Sequence, residues 1–263
     1  MNARVAAVVS RRQVLQHVIG RDVRVKYGSS LLGYFWSILE PLMLTAVYFF
    51  VFSVIVRFQV ENYALFLVCA LMPWHWVQAV VGASTKALVG QSRLITKVNV
   101  PREIFPLGVV GAKTFEFLMS LLVVFVFAAV SRVAPGRYLA LVPVAILLQL
   151  VLLTGVALFL SSVTVLLRDV ERLTRIVLRA LFYLSPIIYP VGRVLQASIP
   201  EWLKTVYGLN PLVGILSLYR APFYPEQLPG VSVLAAAVVG PLLMFALGYW
   251  TFVRLEPAIL KEL

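Results

Sequence analysis

The chain contains few of the residues that build disulfides, metal sites and catalytic acid pairs. Among its 263 residues there are one cysteine, two histidines and 11 acidic residues. The single Cys69 excludes an intramolecular disulfide, and His17 and His75 are too far apart in the sequence to suggest a zinc site. A nucleotide-binding loop is also missing, because residues 28–33 have the glycine spacing of a phosphate loop but are followed by Tyr34 instead of lysine. This chain therefore carries no loop for ATP, and any ATP hydrolysis that drives it must take place on another chain.

Long apolar runs dominate what is present. Hydrophobic residues make up 61% of the chain, and its mean hydropathy is +0.94, whereas soluble domains contain roughly 45–50% apolar residues. A helix needs about 20 apolar residues to cross about 30 Å of hydrocarbon, and backbone groups in lipid must bond within their own segment. The sequence therefore predicts an all-α integral membrane protein with six transmembrane helices, at residues 38–56, 63–81, 108–130, 139–160, 176–188 and 231–253.

The connections between these spans alternate between strongly and weakly basic. Of the 23 lysines and arginines, 17 fall in the N-terminal segment, the second and fourth connections and the C-terminal tail, and 6 fall elsewhere. Basic residues next to spans are retained in the cytoplasm, so we expect both termini to be cytoplasmic in a multi-pass cell-membrane protein. Orientation and anionic lipid also account for the net charge of +12, so nucleic acid is not a predicted partner.

Three segments on the basic side have the features of docking surfaces. Residues 10–27 predict an amphipathic helix at the membrane interface, with Arg21 and Arg24 off its apolar stripe. Residues 84–106 form a long basic connection, and a loop of this length is usually functional or disordered. Residues 166–175 begin a series of arginines spaced by four, three and four positions, which places the whole series on one helical face: Arg168, Arg172, Arg175 and Arg179.

These segments also have simpler interpretations. The amphipathic helix would serve only as a membrane-surface anchor. The arginine series would be only a solvated face that follows the positive-inside distribution, or a basic lining at the mouth of a pore.

The fifth apolar stretch is short and contains Pro186, which interrupts a helix. From there, residues 189–230 mix prolines and aromatic residues with moderately apolar pieces. Non-helical backbone at membrane depth needs protein or a water-filled cavity around it, so this composition predicts re-entrant or interfacial helices at an outer gate. An ordinary aromatic belt at the outer interface is the alternative. Within the third stretch, Lys113 and Glu116 share one helical face and are expected to neutralise each other.

Four motifs, spread in order over the chain, resemble the ABC-2-type polysaccharide export permeases, the group of O-antigen and teichoic-acid exporters. Residues 21–28 (RDVRVKYG) and 31–36 (LLGYFW), with Pro41, resemble the entry to the first span of that family. Residues 97–106 (KVNVPREIFP) are similar to its cytoplasmic connection before the third span. Its fifth-span and outer-gate motifs resemble residues 184–190 (LSPIIYP) and 209–211 (LNP).

The resemblance implies a homodimer of six-span subunits paired with two copies of a separate ATPase subunit. It implies export of a long glycan on a polyprenyl diphosphate lipid through a channel at the dimer interface. ATP and Mg²⁺ would be bound by the partner, and no cofactor by this chain. The docking surfaces would meet the ATPase through a set of basic residues: Arg21, Arg24, Lys86, Arg93, Lys97, Arg102, Arg168, Arg172 and Arg175.

The resemblance also suggests residues for the substrate path. Sugar rings present apolar faces that stack on aromatic rings, and the candidates are Tyr34, Phe35, Trp36, Tyr183 and Tyr189. Pro186 and Pro190 are the candidates for the gate.

Two other classes of function stay open at this point. A drug or small-lipid exporter of the same architecture usually has a larger outer domain between its last two spans than residues 191–230 provide. An integral-membrane enzyme of lipid or glycan metabolism should show paired acidic residues or a histidine–acid pair at the membrane face. Here Asp22, Asp169 and Glu171 are isolated among arginines.

Overall fold

The computed structural model describes residues 10–27, 36–55, 57, 60–92 and 100–262, and every regular element in these ranges is helical. The prediction of an all-α protein is therefore confirmed for the described residues. The α-helices are α1 (Arg12–Tyr27), α2 (Trp36–Phe49), α3 (Tyr63–Ser84), α4 (Ile104–Val130), α5 (Leu141–Leu166), α6 (Val170–Tyr183), α7 (Val191–Leu195), α8 (Glu201–Leu209), α9 (Pro211–Arg220) and α10 (Val231–Glu262). Short 3₁₀ turns occur at Val89–Gln91, Arg137–Ala140 and Pro225–Gln227.

Four of the described helices are long and apolar enough to cross a membrane. They are α3, α4, α10 and the helical stretch Arg137–Leu166 that contains α5, and they correspond to the second, third, sixth and fourth predicted spans. The first predicted span is a shorter apolar helix, Leu42–Ile55. This apolar helix consists of the second part of α2 and a π-helical turn at Phe50–Ile55 that continues it. Such π-helical turns often mark functional sites.

The predicted interruption at Pro186 is confirmed, and the fifth predicted span, 176–188, is therefore only partly helical. α6 begins at Val170 and ends at Tyr183, and residues 184–190 form turns. The helix stops before Pro186 because proline has no backbone donor and disfavours helical geometry in the residue before it. At 14 residues, α6 is about 21 Å long. Arg168 precedes the helix in a turn, so it does not share the helical face predicted for the arginine series.

α3 is the central helix of the bundle. Its side chains are buried almost without interruption, and it contacts α2, α4, α5, α6 and α9. Gln149 of α5 is fully buried and donates from Nε2 to the carbonyl oxygen of Pro73 at 2.8 Å. Trp76 stacks on Phe117 of α4 with a centroid distance of 4.4 Å. Polar and aromatic contacts of this kind link helices where the surrounding solvent offers no hydrophobic driving force.

The apolar stripe of α1 packs against the first turns of α4. A Cβ at Gly108 would lie 2.6 Å from Val18 Cγ1, and one at Gly111 would lie 2.5 Å from Ile19 Cδ1. Gly108 and Gly111 on α4 therefore form the surface on which α1 packs. Part of the apolar stripe of the predicted interfacial helix thus faces protein.

Lys113 and Glu116 form the ion pair expected from their spacing, with Nζ and Oε1 2.6 Å apart on α4. Both side chains are largely buried. Because each charge has its partner on the same helix, α4 carries no net charge from this pair into the apolar layer.

Two glycines bring the backbones of α5 and α10 into direct contact. A Cβ at Gly155 would lie 2.5 Å from the carbonyl oxygen of Met244, and a Cβ at Gly248 would overlap the carbonyl oxygen of Gly155. Small residues at such crossings permit the close backbone approach on which helix packing in membranes depends. The α5–α10 pair is the most extensive helix contact in the described structure.

We expect Gly248→Ala to destabilise the protein, because its methyl group meets backbone that has no side chain to move aside. The cost should be about 1–3 kcal/mol, as for other overpacked sites. The matched control is Gly82→Ala in α3, where an added Cβ meets nothing within 4 Å and helix propensity favours alanine by roughly 0.5–1 kcal/mol. Thermal unfolding of both variants in detergent checks this, and equal midpoints would contradict the glycine contact.

Candidate functional site

The segment that follows α6, residues 184–190, is non-helical, but most of its backbone carbonyl groups accept a hydrogen bond. The hydroxyl of Tyr189 donates to the carbonyl oxygen of Tyr183 at 2.7 Å. Asn210 Nδ2 donates to the carbonyl oxygen of Leu184 at 3.4 Å. The first two carbonyl groups after the last helical turn are thus satisfied by side chains.

Two further carbonyl groups have donors, one from the backbone and one from a side chain. The amide of Ile187 donates to the carbonyl oxygen of Ser185 at 2.8 Å, and the hydroxyl of Tyr63 on α3 donates to that of Ile188 at 2.7 Å. Carbonyl groups away from water need such partners, and irregular backbone at membrane depth is tolerated only when protein supplies them.

Arg220 supplies the remaining donors. Its guanidinium donates to the carbonyl oxygen of Pro186, to that of Ile187 at 2.5 Å, and to that of Phe66 on α3 at 3.2 Å. The same group lies over the Phe66 ring, with Cζ 3.5 Å from the centroid. One side chain at the end of α9 therefore fixes the break after α6 to the central helix.

Arg220 is 2% exposed. An arginine guanidinium stays protonated in proteins, so Arg220 is a buried cation. Planar, weakly hydrated guanidinium suits such a site, because its fork of donors reaches several carbonyl groups at once. Sequence reasoning missed this residue and counted it only as an outer-side charge. The available signal was an arginine closing the apolar run 211–219, since ionisable residues in such runs are functional candidates by default.

The two outer-gate motifs contact each other. Besides its bond to Leu184, Asn210 donates from Nδ2 to Ser185 Oγ at 3.1 Å. Its Oδ1 accepts from the amide of Leu212 at 3.0 Å, which caps α9 with Pro211 in the first turn. Asn210 thus starts the helix that carries Arg220 and also holds the break that Arg220 binds.

A cavity of about 180 Å³ lies between α2, α3 and α6. Three aromatic rings surround Phe182: it lies 5.5 Å from Tyr48, 5.7 Å from Trp74 and 5.2 Å from Tyr183, measured between centroids. Polar groups complete the lining: His75, Gln78 and Arg179. The site therefore offers stacking faces and hydrogen-bond donors together, within the bundle.

The residues predicted for the substrate path are only partly brought together. Tyr183 lines this cavity, and Tyr189 contacts Tyr183 through its hydroxyl. Trp36 begins α2, about 18 Å along the helix from Tyr48, so it does not join the cavity. Tyr34 and Phe35 lie outside the described residues. For the gate, Pro186 accepts from Arg220, and Pro190 precedes α7.

Predicted docking residues gather at the opposite end of the bundle. Ion pairs join Lys86 to Glu171 at 3.3 Å and Arg102 to Glu256 at 3.5 Å, and Arg21 of α1 donates to Gln91 at 3.3 Å. These contacts bring α1, the connection after α3, the start of α6 and the end of α10 together. The other residues of the set are placed as follows: Arg168, Arg172 and Arg175 are exposed, Arg24 lies on α1, and Arg93 and Lys97 lie outside the described residues.

We expect Arg220→Met to destabilise the protein by on the order of 3 kcal/mol, because buried carbonyl groups lose their donors. Arg220→Lys should be intermediate, since ammonium keeps the charge without the fork of donors. Arg137→Met is the control, an exposed arginine at the same end that contacts only Tyr138 in the described structure. Thermal unfolding and proteolysis within residues 184–190 are the measurements. If Arg220→Met unfolds and is cleaved like the wild type, residues 184–190 keep their conformation without the Arg220 bonds.

Comparison with known proteins assigns the chain to a family. The model of the ABC-2 type transporter family matches residues 13–224. The chain is 29% identical to O-antigen export system permease protein RfbA of Myxococcus xanthus over 236 residues, 89% of this chain and 90% of that protein. It is 30% identical to the protein of the same name from Klebsiella pneumoniae over 207 residues, 78% of each chain. With polysialic acid transport protein KpsM of Escherichia coli it shares 23% identity over 220 residues, 81% of this chain and 82% of the other. The chain belongs to the ABC-2 type transporter family.

Proposed function

We propose that this chain is the membrane subunit of an ABC exporter that moves a polyprenyl-diphosphate-linked polysaccharide to the outer side of the cell membrane. An O-antigen, a teichoic acid or a similar cell-surface glycan is the cargo. The observation that carries the proposal is similarity along most of the chain to permeases named for O-antigen export and to a polysialic acid transport protein. The chain is a transport subunit rather than an enzyme.

The proposed subunit has six spans, both termini in the cytoplasm, and a homodimeric assembly. The two spans beyond the four long helices are Trp36–Ile55 and α6 extended by the non-helical segment after it. α6 supports the dimer, because it exposes Arg179 on the same side as the apolar residue Ile176. Arginines cannot face hydrocarbon at low cost, so a water-filled path shared with a second copy is the environment that suits this face.

ATP would be hydrolysed by a partner subunit docked at the end of the bundle that carries the basic residues. Arg168, Arg172 and Arg175 are the principal contacts in this proposal, because in the described structure they are exposed and only Arg172 has a carboxylate nearby, Asp169 at 3.9 Å. Lys86 and Arg102 already contact carboxylates of this chain, which ties the docking surface to α6 and α10. Motion of the partner would thereby reach both helices.

The glycan would pass along the side of the bundle formed by α2 and α6, where Tyr183 and the cavity around Phe182 lie. The segment 184–190, with Pro186 and Pro190, would form the outer gate. The hydroxyl of Tyr189 donates to the carbonyl oxygen of Tyr183 and so ties this segment to the end of α6.

A complementation experiment tests the function. In a glycan-exporting strain that lacks this gene, lipid-linked glycan should accumulate in the cytoplasmic leaflet, and the wild-type gene should restore surface glycan. The double variant Arg172→Glu, Arg175→Glu should restore neither surface glycan nor recovery of the ATPase with the purified permease, because charge reversal acts on the partner's approach and binding.

The matched control reverses two basic residues at the other end, Arg193→Glu with Lys204→Glu, and should support both export and ATPase recovery. Purified without its partner, the wild-type chain should hydrolyse no ATP. Normal surface glycan in the deletion strain would refute the proposed function. Equal export and ATPase recovery in the two double variants would refute the proposed position of the ATPase contact.

Topology is tested by thiol labelling in intact cells after replacement of the buried Cys69. We expect Asp169→Cys to resist a membrane-impermeant reagent and Gln196→Cys to react, as the 17-to-6 distribution of basic residues requires. Asp169 suits the test because its side chain is 89% exposed. Labelling at position 169 from outside the cell would show that the orientation is opposite to the predicted one.

A further inference from the structure

An apolar groove lies between α6 and the helices behind it. It has a volume of about 520 Å³, and its walls are apolar side chains of α3, α5 and α6. The two polar residues of the lining, Thr174 and Asn210, use their side chains for hydrogen bonds within the protein. Leu173 and Val177 line the groove and are nevertheless exposed, so the groove is open along α6.

The residue spacing on α6 forms one wall of this groove. Val170, Thr174, Val177 and Leu181 recur every three or four positions, so they share one helical face, and that face lines the groove. α6 therefore directs its apolar face toward α5 without closing on it. An empty space of this size would forfeit the dispersion contacts of its walls, and water does not settle at an apolar site. An apolar chain is the occupant that suits the groove.

The groove extends over the depth of one leaflet. It begins at Val170, at the end of the bundle that carries the basic residues, and Leu181 lies about 16 Å farther along α6. The start of α9 closes it, where Pro211 packs so tightly on α10 that a Cβ at Gly240 would lie 2.9 Å from Pro211 Cβ. Gly240 is about 14 Å along α10 from Val231, near the middle of a hydrocarbon layer of roughly 30 Å. The groove thus has the length of one acyl chain.

An arginine lies where a lipid headgroup would leave this groove. Arg168 is in the turn that joins α5 to α6, between Val163 and Val170, both of which line the groove. Arg168 is exposed, and the neighbouring carboxylate, Asp169, lies 3.9 Å from Arg172. A guanidinium binds phosphate through its fork of donors, and basic residues at a membrane surface attract anionic lipid. The charge at this end therefore complements an anionic headgroup.

We propose that the groove binds one acyl chain of an anionic phospholipid from the leaflet at the basic end, and that Arg168 binds the phosphate of its headgroup. The apolar walls select the chain, and the arginine selects the charge. A bound chain fills the space between α5 and α6 and keeps the two helices apart. The inference goes beyond the proposed function, because it concerns a resident lipid and does not depend on the cargo.

Photo-cross-linking of the full-length chain in phosphatidylcholine nanodiscs tests this site. The probes are phosphatidylglycerol and phosphatidylcholine, each with a diazirine at the end of one acyl chain. At equal fractions, the phosphatidylglycerol probe should label residues around Leu181 and Pro211 about fivefold more than the other probe, because one arginine near the surface favours the anionic lipid. Unlabelled phosphatidylglycerol should displace it. Both probes should label Leu118 equally, since that residue is exposed on α4 and does not line the groove.

Two variants separate the chain from the headgroup. Val177→Phe places a ring in the groove and should lower the labelling there about fivefold or more, because the ring takes the space of the chain. Its matched control is Val126→Phe on α4, since Val126 is 59% and Val177 53% exposed but only Val177 lines the groove. The control should be labelled like the wild type. Arg168→Gln should keep labelling by the phosphatidylcholine probe and bring the ratio of the two probes to about one.

Three outcomes would overturn the inference. Equal labelling of the groove and of Leu118 by both probes would show ordinary lipid contact. Absence of labelling in the groove would show that a second copy of the chain covers it. Displacement of the phosphatidylglycerol probe by farnesyl diphosphate, without displacement by unlabelled phosphatidylglycerol, would assign the groove to an isoprenoid chain. Surface glycan in the complementation experiment is measured separately, so none of these outcomes decides the proposed function.

Discussion

The structure depends on satisfying one stretch of irregular backbone inside an apolar bundle. α6 stops after 14 residues, and the carbonyl groups that follow would be unpaired in hydrocarbon without side-chain donors. Arg220 supplies the central ones and at the same time bonds the carbonyl of Phe66 on α3. The burial of a cation, which is expensive alone, is offset because each guanidinium nitrogen donates to a carbonyl oxygen and the group lies over the Phe66 ring. The break is thereby a defined structural element.

This anchor divides the molecule into two functional ends. On one side of the anchor lie the irregular segment 184–190 and helices α7 to α9, whose arrangement Asn210 and Arg220 set. On the other side α6 continues toward the basic residues at the opposite end, where Lys86 and Arg102 pair with Glu171 and Glu256. α6 is the element that joins these ends, and the aromatic cavity lies along it.

Sequence patterns predicted the helices whose signal is local. Apolar length identified the spans at α3, α4, α5 and α10, and i,i+3 spacing identified the Lys113–Glu116 pair, because both depend only on neighbouring residues. Pro186 predicted the interruption of the fifth span, because proline acts on its own local backbone, but the hydropathy of Ile187 and Ile188 does not show that the helix already ends at Tyr183. Arg220 and the cavity were missed for another reason: their partners are 34 and more than 100 positions away in the chain, and only the fold brings them together.

The contact between Gly155 and Gly248 limits how this protein can move. Where two helices meet through backbone, there are no interdigitated rotamers between them that could repack, so small sliding of the kind seen between ordinary packed helices is blocked. α5 and α10 then behave as one rigid body. Under the proposed function, a path would widen by displacement of α2 and α6 relative to that body, which would give this chain a stationary half and a mobile half. Differences in cargo size between related transporters are then expected to be encoded in the mobile half.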